Sequence, residues 1–218
     1  MRKLFLIVML ISSVVLLVVG CSQGQSSPYG TPVPIKNLKW GMNEEEVMNA
    51  LTISEKDITK VNTGLAHNDQ INFNNQIKLF DHSAEVSLTF SYHILIGITA
   101  QFKAENVADV EKAITKERGT GIYKYNGRNE KAEVTWADDI LENNKTWKAV
   151  VEEIYKNLGI KVSDDPMKDG ISVGQMPITS WNLTIDKNSP RYGNMLINGD
   201  AAAMLNYPEK YTPELILK

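Results

Sequence analysis

Cys21 is the only cysteine in this chain of 218 residues. A single cysteine cannot form a disulfide within one chain, so no covalent cross-link is available to stabilise the fold. Roughly 180 residues follow the polar segment after Cys21, which is enough for one large domain or two small lobes. The fold must therefore be stabilised by its hydrophobic core alone.

A positively charged start and an apolar stretch precede this cysteine. Arg2 and Lys3 lead into the uncharged segment 4–19, which only two serines interrupt, and Gly20 places a small residue before Cys21. The segment is shorter than the roughly 20 residues that cross a bilayer as a helix. It predicts a signal peptide over residues 1–20. A plain secretory signal and a short uncleaved membrane helix are the alternatives.

The junction Val18-Val19-Gly20-Cys21 resembles the lipobox of bacterial lipoproteins. This resemblance implies that Cys21 receives a lipid, becomes the first mature residue and holds the protein on the outer face of the cell membrane, or in the outer membrane if the source has two membranes. Two acyl chains give a stable anchor, whereas one binds reversibly. The polar residues that follow have the composition of a flexible tether. The predicted division is a signal peptide 1–20, a lipid-anchored tether 21–35 and an α+β domain 36–218, with candidate lobes 36–120 and 121–210.

The charge balance restricts the partners. The whole chain has a formal charge of −3, and loss of the two positive charges in residues 1–20 lowers it to −5. Nucleic acids and anionic lipid surfaces bind to basic faces. We therefore expect no nucleic-acid partner.

Three helix starts are visible in the sequence. Asn43 is a good N-cap with Glu46 three residues later, as in a capping box. Asn106 precedes a second apolar stripe that ends at Gly119, and Asn143 or Asn144 precedes a third, which contains Trp147 and ends at Gly159. The glutamates at 44–46 are interpreted as partners of the helix dipole and not as a metal or catalytic site.

Alternating apolar residues predict strands between these helices. The predicted strand regions are 71–80, 86–90, 94–102, 122–125, 132–136, 180–185 and 195–207, with the Asn126-Gly127 dipeptide as a hairpin turn. This order predicts an α+β fold in which helices pack on an antiparallel sheet.

The segment Leu38 to Val47, with Trp40-Gly41-Met42 leading into the first helix, carries a second resemblance. Together with the order of elements, it is similar to small exported lipoproteins of low-GC bacteria, and more distantly to outer-membrane assembly lipoproteins and the β-lactamase inhibitor protein. The resemblance implies helices laid on an antiparallel sheet and a function in binding other proteins.

Sequence patterns for chemistry are weak. His67, His82 and His93 lack the spacing of metal ligands, and Ser-x-x-Lys does not occur. Adjacent carboxylates occur at 138–139 and at 152–153, where surface charge is the simpler interpretation. We therefore predict no catalytic residue, no metal site and no cofactor.

Aromatic residues on the predicted hairpin give the candidate partner-binding site Tyr123, Tyr125 and Trp136, because tyrosine and tryptophan are enriched at interfaces. Trp147 is assigned to the core. The leading hypothesis is a membrane-tethered, non-enzymatic lipoprotein that binds an envelope protein or polymer. The alternative is an accessory hydrolase of envelope polymers whose carboxylates are assembled by folding. A solute receptor is disfavoured because no long series of alternating strands and helices is present.

Overall fold

A computed structural model describes residues 29–62, 68–163 and 171–211. The lipidation candidate Cys21, the signal segment and the first part of the predicted tether lie outside the described residues, as does His67. In the described part, no helix combines the length and the hydropathy that crossing a bilayer requires.

Four α-helices and nine β-strands form the described fold. The helices are α1 (Glu44–Leu51), α2 (Val107–Arg118), α3 (Lys145–Asn157) and α4 (Asp200–Asn206). The strands are β1 (Ile58–Asn62), β2 (Asn68–Phe73), β3 (Ile77–Leu79), β4 (His82–Ser91), β5 (Ile94–Phe102), β6 (Ile122–Tyr125), β7 (Lys131–Ala137), β8 (Ser180–Thr184) and β9 (Asn194–Asn198).

The strands form one antiparallel sheet in the order β1-β2-β4-β5-β9-β8-β7-β6, with β3 paired to β4. Strands β1, β2, β4 and β5 form one meander, and β6 to β9 form a second. The two meanders meet where β5 pairs with β9. Strands β1 and β6 are therefore the outer strands of the sheet. The α+β fold with helices on an antiparallel sheet is confirmed.

The strand register separates an apolar face from a polar face. One row of directly paired, buried side chains crosses six strands and consists of Ile71, Leu88, Ile98, Ile197, Trp181 and Trp136. These residues share one buried cluster with apolar residues from all four helices. The hydrophobic effect thus holds the helices on this face of the sheet.

The opposite face of the sheet is left open and carries hydroxyl and amide side chains. One row crosses eight strands and consists of Thr59, Asn72, Ser87, Thr99, Leu196, Asn182, Thr135 and Ile122. Leu196 and Ile122 are the exposed apolar members of this row. The alternation of apolar and polar residues therefore gives the sheet one core face and one solvent face.

The three predicted helices are confirmed. Asn43 and Glu46 form a reciprocal capping box at the start of α1. Asn144 accepts hydrogen bonds from two backbone amides of α3, and α2 ends at Gly119, whose φ is +83°. Trp147 on α3 is only half-buried, where its ring packs edge-on against Tyr29.

The predicted final strand at 195–207 is wrong in its second half. Strand β9 ends at Asn198, and residues 200–206 form helix α4. Alanine has the highest helix propensity, and Ala201, Ala202 and Ala203 all lie fully buried in this helix. Apolar residues that continue without alternation fit a buried helix as well as a strand, and here the helix propensity decides.

The tether prediction is wrong for residues 29–35. Val33 and Ile35 are buried in the core, and the Asn206 amide donates a hydrogen bond of 3.2 Å to the Tyr29 carbonyl. Trp40 also donates through Nε1 to the Thr31 carbonyl at 2.9 Å. Residues 29–35 therefore belong to the folded domain, because burial of these apolar side chains outweighs the entropy of a free segment.

Candidate functional site

A pocket of about 430 Å³ opens between the end of α2 and the end of β7. Helix α2 stops at Gly119, and β6 begins pairing with β7 only at Ile122. The end of β7 therefore extends beyond its neighbour and leaves a notch at the edge of the sheet. The pocket is lined by Thr31, Glu117, Arg118, Thr120, Ile122, Thr135, Trp136, Ala137 and Asp138.

Asp138 is the centre of a hydrogen-bond network at the inner end of this pocket. Its Oδ1 accepts from Arg118 Nη2 at 2.5 Å. Its Oδ2 accepts from the Thr31 amide at 2.8 Å, from Thr31 Oγ1 at 2.6 Å and from the Thr179 hydroxyl. Four donors from three separate parts of the chain thus converge on one carboxylate. We call Thr31, Arg118, Asp138 and Thr179 the Asp138 cluster.

Arg118 connects this cluster to the core. Its guanidinium carbon lies 4.4 Å from the ring centre of Trp181, which is a cation–π contact, and Nη1 donates to Thr31 Oγ1 at 2.5 Å. Its side chain is 9% exposed, and its buried Nε has no hydrogen-bond partner in the described part of the chain. The positive charge of Arg118 is therefore held in place by Asp138 and Trp181 together.

These contacts keep Asp138 ionised. Burial alone would raise the pKa of the Asp138 carboxyl, but the hydrogen bonds from Thr179 and Thr31 and the charge of Arg118 outweigh it. The result is a pKa below the ordinary value. At neutral pH this carboxylate is a structural acceptor and has no proton to give.

The outer part of the pocket differs in character from the Asp138 cluster. Glu117 is exposed on the last turn of α2 and makes no ion pair with any described residue. Ile122 is 77% exposed, which is high for an isoleucine, and Ala137 is also exposed. An unpaired carboxylate next to exposed apolar groups is a surface that can contact a ligand.

The predicted partner site is only partly assembled. Trp136 lines the pocket but is 3% exposed, and its Nε1 donates to the Gly119 carbonyl at 3.1 Å. Tyr123 lies on the apolar side of β6 and donates to Glu111 at 2.9 Å, while Tyr125 is 52% exposed at the other end of the strand. The three aromatics therefore do not form one surface, because the strand alternation places Tyr123 and Trp136 on the core side.

The remaining chemical candidates are separate from one another. Asp139, the neighbour of Asp138, is exposed, and Glu152 pairs with Lys148 at 3.6 Å. His93 lies 3.8 Å from Asp69. Among the described residues, no group of three or more histidines, cysteines or carboxylates could hold a metal ion.

A second cavity of about 590 Å³ lies beside the first turn of α1. Two of its glutamates, Glu44 and Glu55, share one cation, Lys60, and such exposed ion pairs contribute little. None of its lining residues is buried, as expected of an open surface groove. The pocket at the Asp138 cluster is therefore the candidate functional site.

Sequence reasoning did not find this cluster. Thr31 is 107 residues from Asp138 and 87 from Arg118, so no local spacing links them. Comparison of the chain with models of protein families, with curated proteins and with solved structures finds no match. The function of the site must therefore be argued from its own geometry.

Proposed function

We propose that this chain is a lipid-anchored extracytoplasmic protein of the bacterial envelope that binds another envelope component and does not catalyse a reaction. Two features support the proposal: the lipobox-like segment at Cys21 and the composition of the pocket. The pocket composition is the observation that favours binding over chemistry. Its buried polar groups are fixed to one another, and its outer groups are free to contact a ligand.

The segment between Cys21 and Tyr29 limits how far the domain can lie from a lipid anchor. Cys21 and Tyr29 are eight residues apart, and an extended chain covers about 3.5 Å per residue, so they are separated by at most about 28 Å. Because Tyr29 is packed on the domain, a lipid on Cys21 would hold the folded part close to the bilayer. Thr31 belongs to the pocket and lies two residues further on. The proposed binding site would then work near the membrane surface.

The contacts of Asp138 do not suit a general acid or a nucleophile. A general acid needs a proton near neutral pH, and a nucleophile needs a free lone pair directed at substrate. Asp138 has a lowered pKa and accepts four hydrogen bonds within the fold. Its use in either role would require breaking the contacts that attach Thr31 and Arg118. The geometry therefore favours binding.

The hydrolase alternative is supported by one observation, the presence of Glu117 and Asp138 in the same pocket. A pair of carboxylates is the arrangement that glycoside hydrolysis uses. Activity of the wild type and of Glu117→Gln separates the two proposals. Binding without chemistry predicts no hydrolytic activity against envelope polymers in the wild type, whereas a wild-type activity that Glu117→Gln abolishes while the variant stays folded would support the hydrolase.

Location is tested with Cys21→Ala in bacterial cells. We expect this variant either to leave the membrane fraction or to accumulate as an unprocessed precursor. Cys21→Ser is the second variant, because it keeps the size and polarity of the side chain without the thiol that receives the lipid. Mature-sized protein that stays in the membrane fraction with either variant would refute the lipid anchor.

Binding is tested with a photo-crosslinking residue at Ile122, the most exposed apolar side chain at the pocket. The matched control is Val61, which lies on the opposite outer strand and is 37% exposed. We expect a distinct crosslinked species in intact cells from position 122 and none from position 61. Equal crosslinking at both positions, or none at 122, would contradict a binding function of this pocket.

A further inference from the structure

We propose that the pocket and the outer edge of β6 together bind an extended peptide segment and receive one of its lysine side chains. This inference rests on the proposed binding function and names the chemical class of the partner. It is carried by three independent features of the described residues: the charge of the pocket, the shape of its wall and the unpaired edge of the sheet.

Charge determines the kind of side chain. Arg118 and Asp138 neutralise each other at 2.5 Å, which leaves the Glu117 carboxylate as the uncompensated charge of the pocket lining. The lining therefore carries one net negative charge. An ammonium group entering the pocket would gain an ionic partner, whereas a carboxylate would meet repulsion. This charge favours a cationic group over an anionic or neutral one.

The wall of the pocket determines the shape of that group. Ile122 and Ala137 are exposed apolar residues of the lining, and Glu117 adds a carboxylate from the last turn of α2. Lysine has a four-carbon stem that packs on apolar surface while its ammonium reaches polar partners. Thr120 and Thr135 add hydroxyl groups to the lining. The apolar residues of the wall therefore suit the stem of a lysine, and the carboxylate of Glu117 suits its ammonium group.

The edge of the sheet supplies the backbone contacts. In the described part of the chain, β6 pairs with β7 only, so its other edge is open to a further strand. A peptide that adds to such an edge gains main-chain hydrogen bonds, and its alternate side chains enter neighbouring pockets. Strand β6 has four residues, Ile122–Tyr125, which limits regular pairing at its outer edge to that length. The bound segment is therefore short and runs past the pocket at Ile122.

The test uses a synthetic pentapeptide with alternating valine and threonine around a central lysine, blocked at both ends. It is titrated into the ¹⁵N-labelled domain, residues 29–218, and in parallel into a soluble chain that starts at residue 22 and so lacks Cys21. We expect the amide signals of Thr120, Ile122 and Thr135 to shift and to saturate at millimolar or lower concentration in both. The same peptide with norleucine in place of lysine keeps the stem and loses the charge, and we expect about tenfold weaker binding.

Two further comparisons isolate the contributions. Glu117→Gln removes the unpaired carboxylate. It should lower the affinity for the lysine peptide about tenfold, to the affinity of the norleucine peptide. Glu45→Gln removes one exposed glutamate on α1, away from the pocket, and should leave the affinity unchanged. A lysine peptide with N-methylated backbone amides cannot complete the strand pairing and should bind more weakly than the parent. Circular dichroism confirms that each variant is folded.

Each outcome decides a part of the inference. Equal binding of the lysine and norleucine peptides overturns the charge argument, and equal binding of the N-methylated peptide overturns strand addition. Absence of shifts at 10 mM peptide overturns the inference as a whole. Crosslinking from position 122 in cells is independent of these peptides. If it succeeds while the peptides fail, the pocket binds a different chemical class and the proposed binding function stands.

Discussion

Removal of the Asp138 carboxylate should destabilise the whole fold, because Asp138 joins parts of the chain that are far apart in sequence. Its four donors come from the segment after Tyr29, from the end of α2 and from the residue before β8. Asp138→Ala would leave the Arg118 guanidinium, which is 9% exposed, without its counter-ion. The Thr31 amide and hydroxyl would lose an acceptor at the same time.

The magnitude follows from the exposure of the pair. Removal of one partner from a buried ion pair costs about 3–5 kcal/mol. Asp138 is 26% exposed, so water reaches part of the pair, and we expect a loss of about 3 kcal/mol, at the lower end of that range. For a domain of this size, 1 kcal/mol changes Tm by about 2–4 °C. The Tm of Asp138→Ala should therefore fall by about 6–12 °C.

A double-mutant cycle measures whether the loss comes from the pair itself. Urea unfolding of the domain 29–218 is followed by tryptophan fluorescence for Arg118→Gln, Asp138→Asn and the double variant. Since the two side chains are in direct contact, we expect a coupling free energy of about 1–3 kcal/mol. The double variant should thus be more stable than the sum of the single effects.

The pH dependence gives a second measure of the same interaction. The folded state lowers the pKa of Asp138, so its contribution to stability is complete above the pKa of about 3.9 in the unfolded chain. It is lost as the pH falls through the lower folded value. Wild type and Asp138→Asn should therefore differ most near pH 7 and converge below pH 4. A coupling energy under about 0.5 kcal/mol, or a constant difference across this pH range, would refute the reasoning.

Two further predictions concern other parts of the fold. Burial raises the pKa of Asp200 although Tyr155 donates to it at 2.7 Å, so the Asp200 contribution to stability falls as the pH rises above about 4. The Tm of Asp200→Asn relative to wild type should therefore rise from pH 4 to 8, and a difference that stays constant or changes in the opposite direction would contradict this. Gly41 has φ +87°, and a Cβ there would lie 2.2 Å from the Tyr207 ring. Gly41→Ala should therefore lower the free energy of unfolding in urea by about 2–4 kcal/mol. Gly127→Ala, at a site with open space, should change it by no more than about 0.5 kcal/mol. Equal effects of the two substitutions would contradict the packing argument.

Local chemistry explains which elements the sequence predicts well. The helices that begin at Asn43 and Asn144 were predicted because a cap is a short-range signal, set by one side chain and the amides two or three residues later. Strands β4, β8 and β9 alternate clearly between buried and less buried residues, which is the pattern that predicts strands with one buried face. Helix α4 was missed because its apolar residues are continuous, and such a run fits a buried strand as well as a buried helix.

The candidate site was not predicted because its parts have no local relation. In the sequence, Arg118 looks like a basic residue that ends a helix, and Asp138 looks like one of two adjacent acidic residues at the surface. Both interpretations are the common ones for such residues. The segment that contains Thr31 did carry one sequence signal of burial. Val33 and Ile35 alternate with prolines in a region assigned to the tether, and alternation of this kind is typical of a segment with one buried side. The composition of the whole segment outweighed these two residues in the prediction.

The position of Thr31 connects the proposed anchor to the proposed binding pocket. Thr31 donates two hydrogen bonds to Asp138 and accepts one from Arg118. The chain that follows Cys21 therefore contributes Thr31 to the wall of the pocket. Ten residues separate Cys21 from Thr31, and at about 3.5 Å per residue they span at most about 35 Å. With a lipid on Cys21, only a partner segment that comes within that distance of the anchor could reach the pocket. Proximity to the membrane would then restrict the partners in addition to the charge of Glu117.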